Sequence, residues 1–289
     1  MRSRIRFIIP YFGRWPFWMP FFVESCRYNP DIEWLFFTDC GELESMPANI
    51  TLEPMSFAQY CAMVGEHLGI FFRPKSPYKL CDIKPALGYI HADRLQDVEF
   101  WGFSDIDLIY GNLRHYFTEA RLARFDLLST HERRVSGHLC LIRNNENMRS
   151  AFMRVSGWRD SFENTEHEAF DEGDFSRLFI RWKNWPQPLQ QLVGRLNPLR
   201  RNSEFVEAFS TPNGRILWLD GTKDFPDRWI WNTGFLRNDR NADREFPYFH
   251  FIAWKGTEWQ NCAASELVPS NELVSQPAWS VTAQGFREV

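Results

Sequence analysis

The stretch at residues 97–113, DVEFWGFSDIDLIYGNL, constrains the fold more than any other. Residues 98–103 form an apolar run broken only by Glu99, and the run reads as a buried strand. It ends at Ser104 and then delivers Asp105 and Asp107. On an extended chain, side chains two positions apart point the same way, so the two carboxylates would crowd at the strand's end. Something positive is expected there. The chain has 16 Asp, which gives about one Asp-x-Asp by chance, so the strand before the pair is what gives it weight.

The rest of the chain supplies the sheet for that strand. Residues 4–9, 31–39 (DIEWLFFTD) and 50–55 read as strands, and residues 17–28 as a helix. Residues 56–69 read as a helix capped by Ser56 and stopped by Gly69. A further helix is expected over 76–95, interrupted at Pro85, with others over 144–157 and around 166–182. FDLLS, GHLCLIRN, GRILWLDG, WIWNTGFLRN and FPYFHFIAWK read as later strands. Strand and helix alternate early and strands cluster late. The expected architecture is therefore α/β, a mixed, mainly parallel sheet flanked by helices, in a single domain over residues 1–256. Residues 257–289 lose periodicity and read as a tail or flap. In such sheets ligands bind at the carboxyl ends of strands, where Asp39 and the Asp105/Asp107 pair fall.

Composition narrows the partners. A net charge of −4 gives no electrostatic reason to expect nucleic acid. Six cysteines without a C-x-x-C pair read as free thiols of a reducing compartment, the cytoplasm. The apolar run at 7–9 is far shorter than a signal peptide needs, and no segment has the ~18 apolar residues of a membrane span. The 13 Trp and 27 Phe serve a large core and suit a surface for flat ligands such as sugar rings and nucleobases. The segment WPFWMPFF at 15–22 could touch a membrane interface, but it carries few basic residues, which favours burial or acceptor packing.

A divalent cation would suit the aspartate pair, and the plainer reading is a solvated turn that carries two Asp. Hard ions of this kind take one or two carboxylates and complete their shell with water and substrate phosphates, so the pair implies a diphosphate ligand.

The blocks YKLCDIKPALG and GFSDIDLIYGNL carry a resemblance. Across residues 4–256 the chain resembles the GT-A class of nucleotide-sugar-dependent glycosyltransferases, whose fold is Rossmann-related, and within it the bacterial enzymes of polysaccharide and lipopolysaccharide assembly. The resemblance implies a nucleotide-sugar donor, UDP-linked in the first instance, and a glycan or lipid-linked glycan acceptor at the inner membrane face. Asp105 and Asp107, after Ser104, match the motif that holds Mn2+ or Mg2+, and His250 matches a late metal ligand. Pro10, Tyr11 and Phe12 match the segment that receives the nucleobase, with Asp39 beside it. Lys79, Asp82 and Lys84 match a block next to the nucleotide and donor sugar. Ser136, Gly137 and His138 match the wall of the sugar site, and Lys255 the cation on the diphosphate. Asp171, Glu172 and Asp174 match an acidic patch that faces sugar or acceptor; in an inverting enzyme Glu172 or Asp174, with Asp171 behind them, would be the general base, and in a retaining one the same residues would orient the sugar. Several related families space the late His and Lys by five residues including a Gly; here there are four and none is Gly.

Read from the residues alone, each match has a plainer reading. A lone His in an aromatic strand is most often a core residue, a Lys most often a solvated stem, an acidic cluster most often a wet helix face. Three rival functions share some of the residues. A nucleotidyltransferase would use the same metal but lacks here its Gly-rich basic loop. A phosphatase with an Asp-x-Asp nucleophile usually has a small Thr or Val where Ile109 stands. A non-catalytic carbohydrate-binding protein would need the aromatics and neither aspartate.

Overall fold

The computed structural model of the protein describes residues 2–180, 194, 196–211 and 216–289. In chain order its strands are β1 (Ile5–Pro10), β2 (Ile32–Thr38), β3 (Ile50–Pro54), β4 (Phe100–Ser104), β5 (Leu108–Tyr110), β6 (Leu127–Ser129) and β7 (Leu139–Arg143). They continue with β8 (Ser203–Phe205), β9 (Arg228–Asn232), β10 (Phe235–Asn238), β11 (Tyr248–His250), β12 (Ala278–Thr282) and β13 (Gly285–Glu288). Among the described residues two helices run for more than two turns, α1 (Met19–Arg27) and α2 (Phe57–Leu68).

Seven strands form the main sheet in the order β3-β2-β1-β4-β7-β6-β8. Only β7 runs against the others, so the sheet is mixed and mainly parallel, as the sequence implied. Alternation along each strand divides the side chains between two faces. Phe7, Ile9, Trp34, Phe36 and Phe100 pack with Phe22, Val23 and Cys26 of α1. Ile8, Leu35, Phe37, Trp101 and Phe103 pack with Tyr60, Val64 and Leu68 of α2. Each such side chain, fully buried, contributes roughly 1.5–3 kcal/mol. Gly102 is the exception inside β4: a Cβ there would lie 2.5 Å from the Cys140 carbonyl and 2.8 Å from the Phe7 ring. A side chain at that position would push β4 and β7 apart. Helix α2 is bounded as its sequence implies, by a Ser56–Gln59 capping box and by Gly69 in the left-handed region at φ 63°.

A four-stranded antiparallel sheet, β10-β9-β12-β13, and the pair β5–β11 complete the fold. The residues expected as a tail are therefore built in. Trp279, Val281 and Phe286 are fully buried, and Phe286 stacks on Phe21 of α1 with centroids 4.0 Å apart. β12 pairs with β13 through a local hairpin, but its other partner, β9, is distant in sequence, so no local pattern announces that pairing.

Other expectations change in detail. Residues 76–95 are no single helix: Pro77 opens one 3-10 turn (Pro77–Cys81), and Pro85 falls in the next (Lys84–Ala86). Proline cannot donate to a helical ladder, and each resets the chain. The segment 144–157 splits into Glu146–Arg149 and Ala151–Arg154. FPYFHFIAWK becomes β11 followed by a helical turn, Ile252–Gly256. Residues 216–221 form no strand, and residues 181, 182, 214 and 215 of the expected elements lie outside the described residues. The aromatics at 15–22 turn inward: Phe21 and Phe22 are fully buried and Trp15 packs edge-on against Phe36. No helix among the described residues is long and apolar enough to cross a membrane.

Candidate metal and ligand site

Strands β1 and β4 are neighbours, yet the chain leaves them in opposite directions across the sheet, β2 and β3 to one side and β7 and β6 to the other. Such a reversal opens a crevice at the strands' carboxyl ends. Pro10 ends β1 there and Ser104 ends β4.

The turn after β4 is pinned by its own residues. Ser104, buried, donates from Oγ to the Asp105 carbonyl at 2.8 Å and also bonds the Tyr110 hydroxyl. The Asp105 amide continues the ladder to the His138 carbonyl at 3.0 Å. The pairing of β5 with β11 sets His250 opposite Leu108, and so next to Asp107. As a result Asp105, Asp107 and His250 each present one ligand atom within 4.8 Å of the others.

Each aspartate also holds a lysine. Lys84, buried, places its ammonium 2.5 Å from Asp105 Oδ1 and 2.8 Å from the Gly137 carbonyl. Burial alone would lower the Lys84 pKa, but the Asp105 carboxylate raises it above the ordinary lysine value. Lys255, more exposed, lies 2.6 Å from Asp107 Oδ2. Burial would raise the Asp107 pKa, yet His250 in its protonated form, together with Lys255, holds it well below the usual carboxylate range. Asp107 is thus an anion with Oδ1 turned to His250 Nε2, 3.5 Å away.

The residues present fit a divalent cation. His250 Nδ1 lies 3.2 Å from Thr211 Oγ1, and the neutral tautomer that donates there leaves the Nε2 lone pair for a cation. Nε2 is buried and makes no hydrogen bond among the described residues. Two carboxylates and an imidazole nitrogen suit Mn2+ and similar ions as well as Mg2+.

His138 backs this cluster. Its ring lies 4.4 Å from that of His250, and its Nε2 is 2.7 Å from the Tyr248 hydroxyl. That hydroxyl donates to Thr130 Oγ1 at 2.9 Å, so His138 Nε2 carries the proton. Burial keeps the His138 pKa well below its ordinary value. Ser136 Oγ, fully buried, stands beside the same ring. These two residues brace His250 from behind.

Gly137 forms a second wall. A Cβ there would meet Asp171 Oδ2 at 2.7 Å and Glu172 Oε1 at 3.1 Å, so only glycine admits both carboxylates. The Gly137 amide lies 3.3 Å from Glu172 Oε1, and Arg134 pairs with Glu172 Oε2 at 3.0 Å. Asp171 is buried, which pushes its carboxyl up to about 7 despite Lys84 nearby. Asp174 is not brought here: it is half-exposed and pairs with Arg177.

Several residues expected at the ligand are engaged elsewhere. Lys79 is fully buried and spends its three N–H bonds on the Ser161 carbonyl, the Glu166 carbonyl and Asp82. Asp82, also fully buried, accepts from the Glu168 and Phe170 amides. The pair clamps residues 161–170 to the turn at 77–82 and has no group left for a nucleotide. Phe12 is buried against Phe57 and Tyr60 in the core. Asp39 is exposed and accepts from the Gly13 amide at 2.7 Å, which ties the turn after β1 to the end of β2. Tyr11 stays partly open, stacked on Trp15 with centroids 5.5 Å apart. Arg134 and Thr211 carry no signal in the sequence, because loops far apart in the chain bring them to the site.

Comparison with known proteins gives fold-level likenesses. An active-site mutant of LgtC is 10% identical, with 71% of this chain and 74% of that one covered and a TM-score of 0.40. Mouse xyloside xylosyltransferase 1 is 9% identical, with 73% and 86% covered and a TM-score of 0.34. The glycosyltransferase GlyE of Streptococcus pneumoniae is 12% identical, with 72% and 46% covered and a TM-score of 0.35. Overlaps this shallow carry no statement about activity. No curated protein sequence matches. One family model covers residues 7–271, nearly the whole chain, and the protein belongs to that family, described as a family of unknown function (DUF6625).

Proposed function

We propose that the protein is a metal-dependent glycosyltransferase of GT-A type that moves a sugar from a nucleotide diphosphate sugar to a hydroxyl of a glycan or lipid-linked glycan. The observation that carries this reading is the convergence of Asp105, Asp107 and the free Nε2 of His250 at the crevice between β1 and β4. Asp105, Asp107 and His250 would hold the ion, which supplies positive charge against the diphosphate as it leaves.

The chain's own residues do the rest. Lys84 is fixed by two partners and keeps Asp105 in place. Lys255 is the lysine of the pair with room to move, and it is the cation available to a phosphate oxygen. Tyr11, at the end of β1, offers a ring to the nucleobase. Asp171 and Glu172 stand at Gly137, where donor sugar and acceptor would meet, and either can take the acceptor's proton. The six free cysteines agree with a cytoplasmic setting, and a role in bacterial surface polysaccharide follows from the resemblance alone.

The test is a thermal-shift screen of nucleotide sugars with and without Mn2+, on wild type and Asp107→Asn. A ligand at 100 times its Kd adds about 2.7 kcal/mol to stability. One nucleotide sugar should raise Tm in wild type only with the metal, and should fail to do so in Asp107→Asn. A screen in which no nucleotide sugar gives a metal-dependent shift overturns the reading.

A further inference from the structure

Tyr78 is 65% exposed, and an exposed aromatic by itself needs no explanation. Its support does. The next residue, Lys79, and its partner Asp82 form an ion pair with almost no solvent contact, 2.8 Å apart. Taking two charges out of water costs several kcal/mol per ion before their bonds offset it, and an apolar pair would hold two loops together as well. A saturated polar network adds a fixed geometry. Here it fixes the turn Pro77–Cys81 to residues 161–170, through the Ser161 and Glu166 carbonyls on Lys79 and the Glu168 and Phe170 amides on Asp82.

What that geometry presents to solvent is a pair of rings. His167 Nδ1 lies 3.0 Å from Asp82 Oδ1, and the His167 ring meets Tyr78 edge-on with centroids 4.6 Å apart. Both rings stand next to the site. Phe170, held by Asp82, leads directly into Asp171 and Glu172 at Gly137. Lys84, on the same segment as Tyr78, holds Asp105. The Tyr78 hydroxyl lies within electrostatic range of Asp105, Lys84 and Lys255.

We infer that Tyr78, with His167 at its edge, is a stacking platform for a pyranose ring of the acceptor. One face of a pyranose is rich in C–H groups and packs on an aromatic ring, while its hydroxyls find acceptors such as the partly exposed Glu172 carboxylate. Tyr11, just past the end of β1, is the aromatic left for the donor base under the glycosyl-transfer reading. The word acceptor rests on the glycosyl-transfer reading; the platform does not.

The test needs neither donor nor metal. Methyl glucopyranoside, galactopyranoside, mannopyranoside and 2-acetamido-glucopyranoside are followed by saturation-transfer NMR on wild type, Tyr78→Ala and Tyr78→Phe, with uridine as control. At least one pyranoside should receive saturation at its ring C–H protons in wild type. Its Kd should rise about tenfold in Tyr78→Ala, which is the loss of one stacked ring, and stay within about twofold in Tyr78→Phe. Thermal unfolding of Tyr78→Ala, an exposed substitution, guards against a folding artefact. The inference is overturned if no pyranoside binds, if Tyr78→Ala binds equally well, or if uridine binds in a Tyr78-dependent way. Pyranoside binding without any metal-dependent nucleotide-sugar shift would keep the platform and remove the glycosyl-transfer reading.

Discussion

Lys84 places its ammonium 2.5 Å from Asp105 Oδ1 while the same nitrogen holds the Gly137 carbonyl at 2.8 Å. One buried cation thus joins the metal-side aspartate to the wall that carries Asp171 and Glu172. Removing a partner from a buried pair costs about 3–5 kcal/mol, and the partial exposure of Asp105 reduces this to about 2 kcal/mol. Lys84→Met should therefore lower Tm by about 4 °C. Asp105→Asn added to Lys84→Met should cost little more, a coupling of about 1 kcal/mol or greater in the double-mutant cycle. Additive effects measured by denaturant unfolding would show that the two side chains act independently.

Lys255 takes the other aspartate differently. Its side chain is 39% exposed, and it reaches Asp107 Oδ2 from the helical turn after His250. A cation entering beside Oδ1 meets a like charge across one carboxylate, and like charges at such range repel strongly where water is scarce. Lys255→Met should bind Mn2+ several-fold more tightly than wild type in nucleotide-free protein, measured by titration calorimetry. The same variant should bind a nucleoside diphosphate more weakly than wild type when Mn2+ is saturating. If Mn2+ affinity falls instead, Lys255 orients Asp107 for the metal and does not compete with it.

How much of this could be read in advance follows the range of each interaction. Strands β1 to β4 and the capped helix α2 are legible because their signals are local: alternation, an apolar run, Ser56 with Gln59, and Gly69. The aspartate pair is legible for the same reason. The place of His250 is not, since it depends on β11 pairing with β5 across the chain, and only a family resemblance pointed to it. Lys79 and Asp82 mislead because a sequence does not say whether a charge faces a ligand or the carbonyls and amides of a distant loop. Asp174 misleads in a subtler way: three acidic residues share one π-helical turn, and the turn sends Asp171 inward and Asp174 to solvent.

The C-terminal strands give a direct test of how far the chain's last segment belongs to the fold. Trp279 stacks on Trp231 at 4.8 Å and 13°, and it meets Phe21 of α1 edge-on at 4.9 Å. It is fully buried. Truncating such a ring costs about 3–5 kcal/mol, so Trp279→Ala should lower the unfolding midpoint in denaturant with the m-value preserved. A loose flap would leave the midpoint where it is.

His91 supplies a pH dependence away from the site. Its Nε2 lies 3.0 Å from the Tyr60 hydroxyl, and its ring stacks on Phe37 at 4.2 Å. Burial lowers its pKa to about 3, helped by His67 and Arg94. In the unfolded chain the ring titrates near its ordinary value, about 6.5. Between those two values the unfolded state takes up a proton and the native state does not, so stability falls as pH falls. The contribution is complete above pH ~6.5 and declines by about 1.4 kcal/mol per pH unit below it, until the folded group itself protonates. His91→Gln keeps a polar partner for Tyr60 and removes the titration. It should cost stability at pH ~7.5, and the difference from wild type should shrink by about 2 kcal/mol at pH ~5. Urea unfolding at the two pH values measures both quantities, and carboxylates elsewhere cancel between the two proteins. A wild-type advantage that is the same at both pH values would mean that His91 accepts a proton in the folded protein.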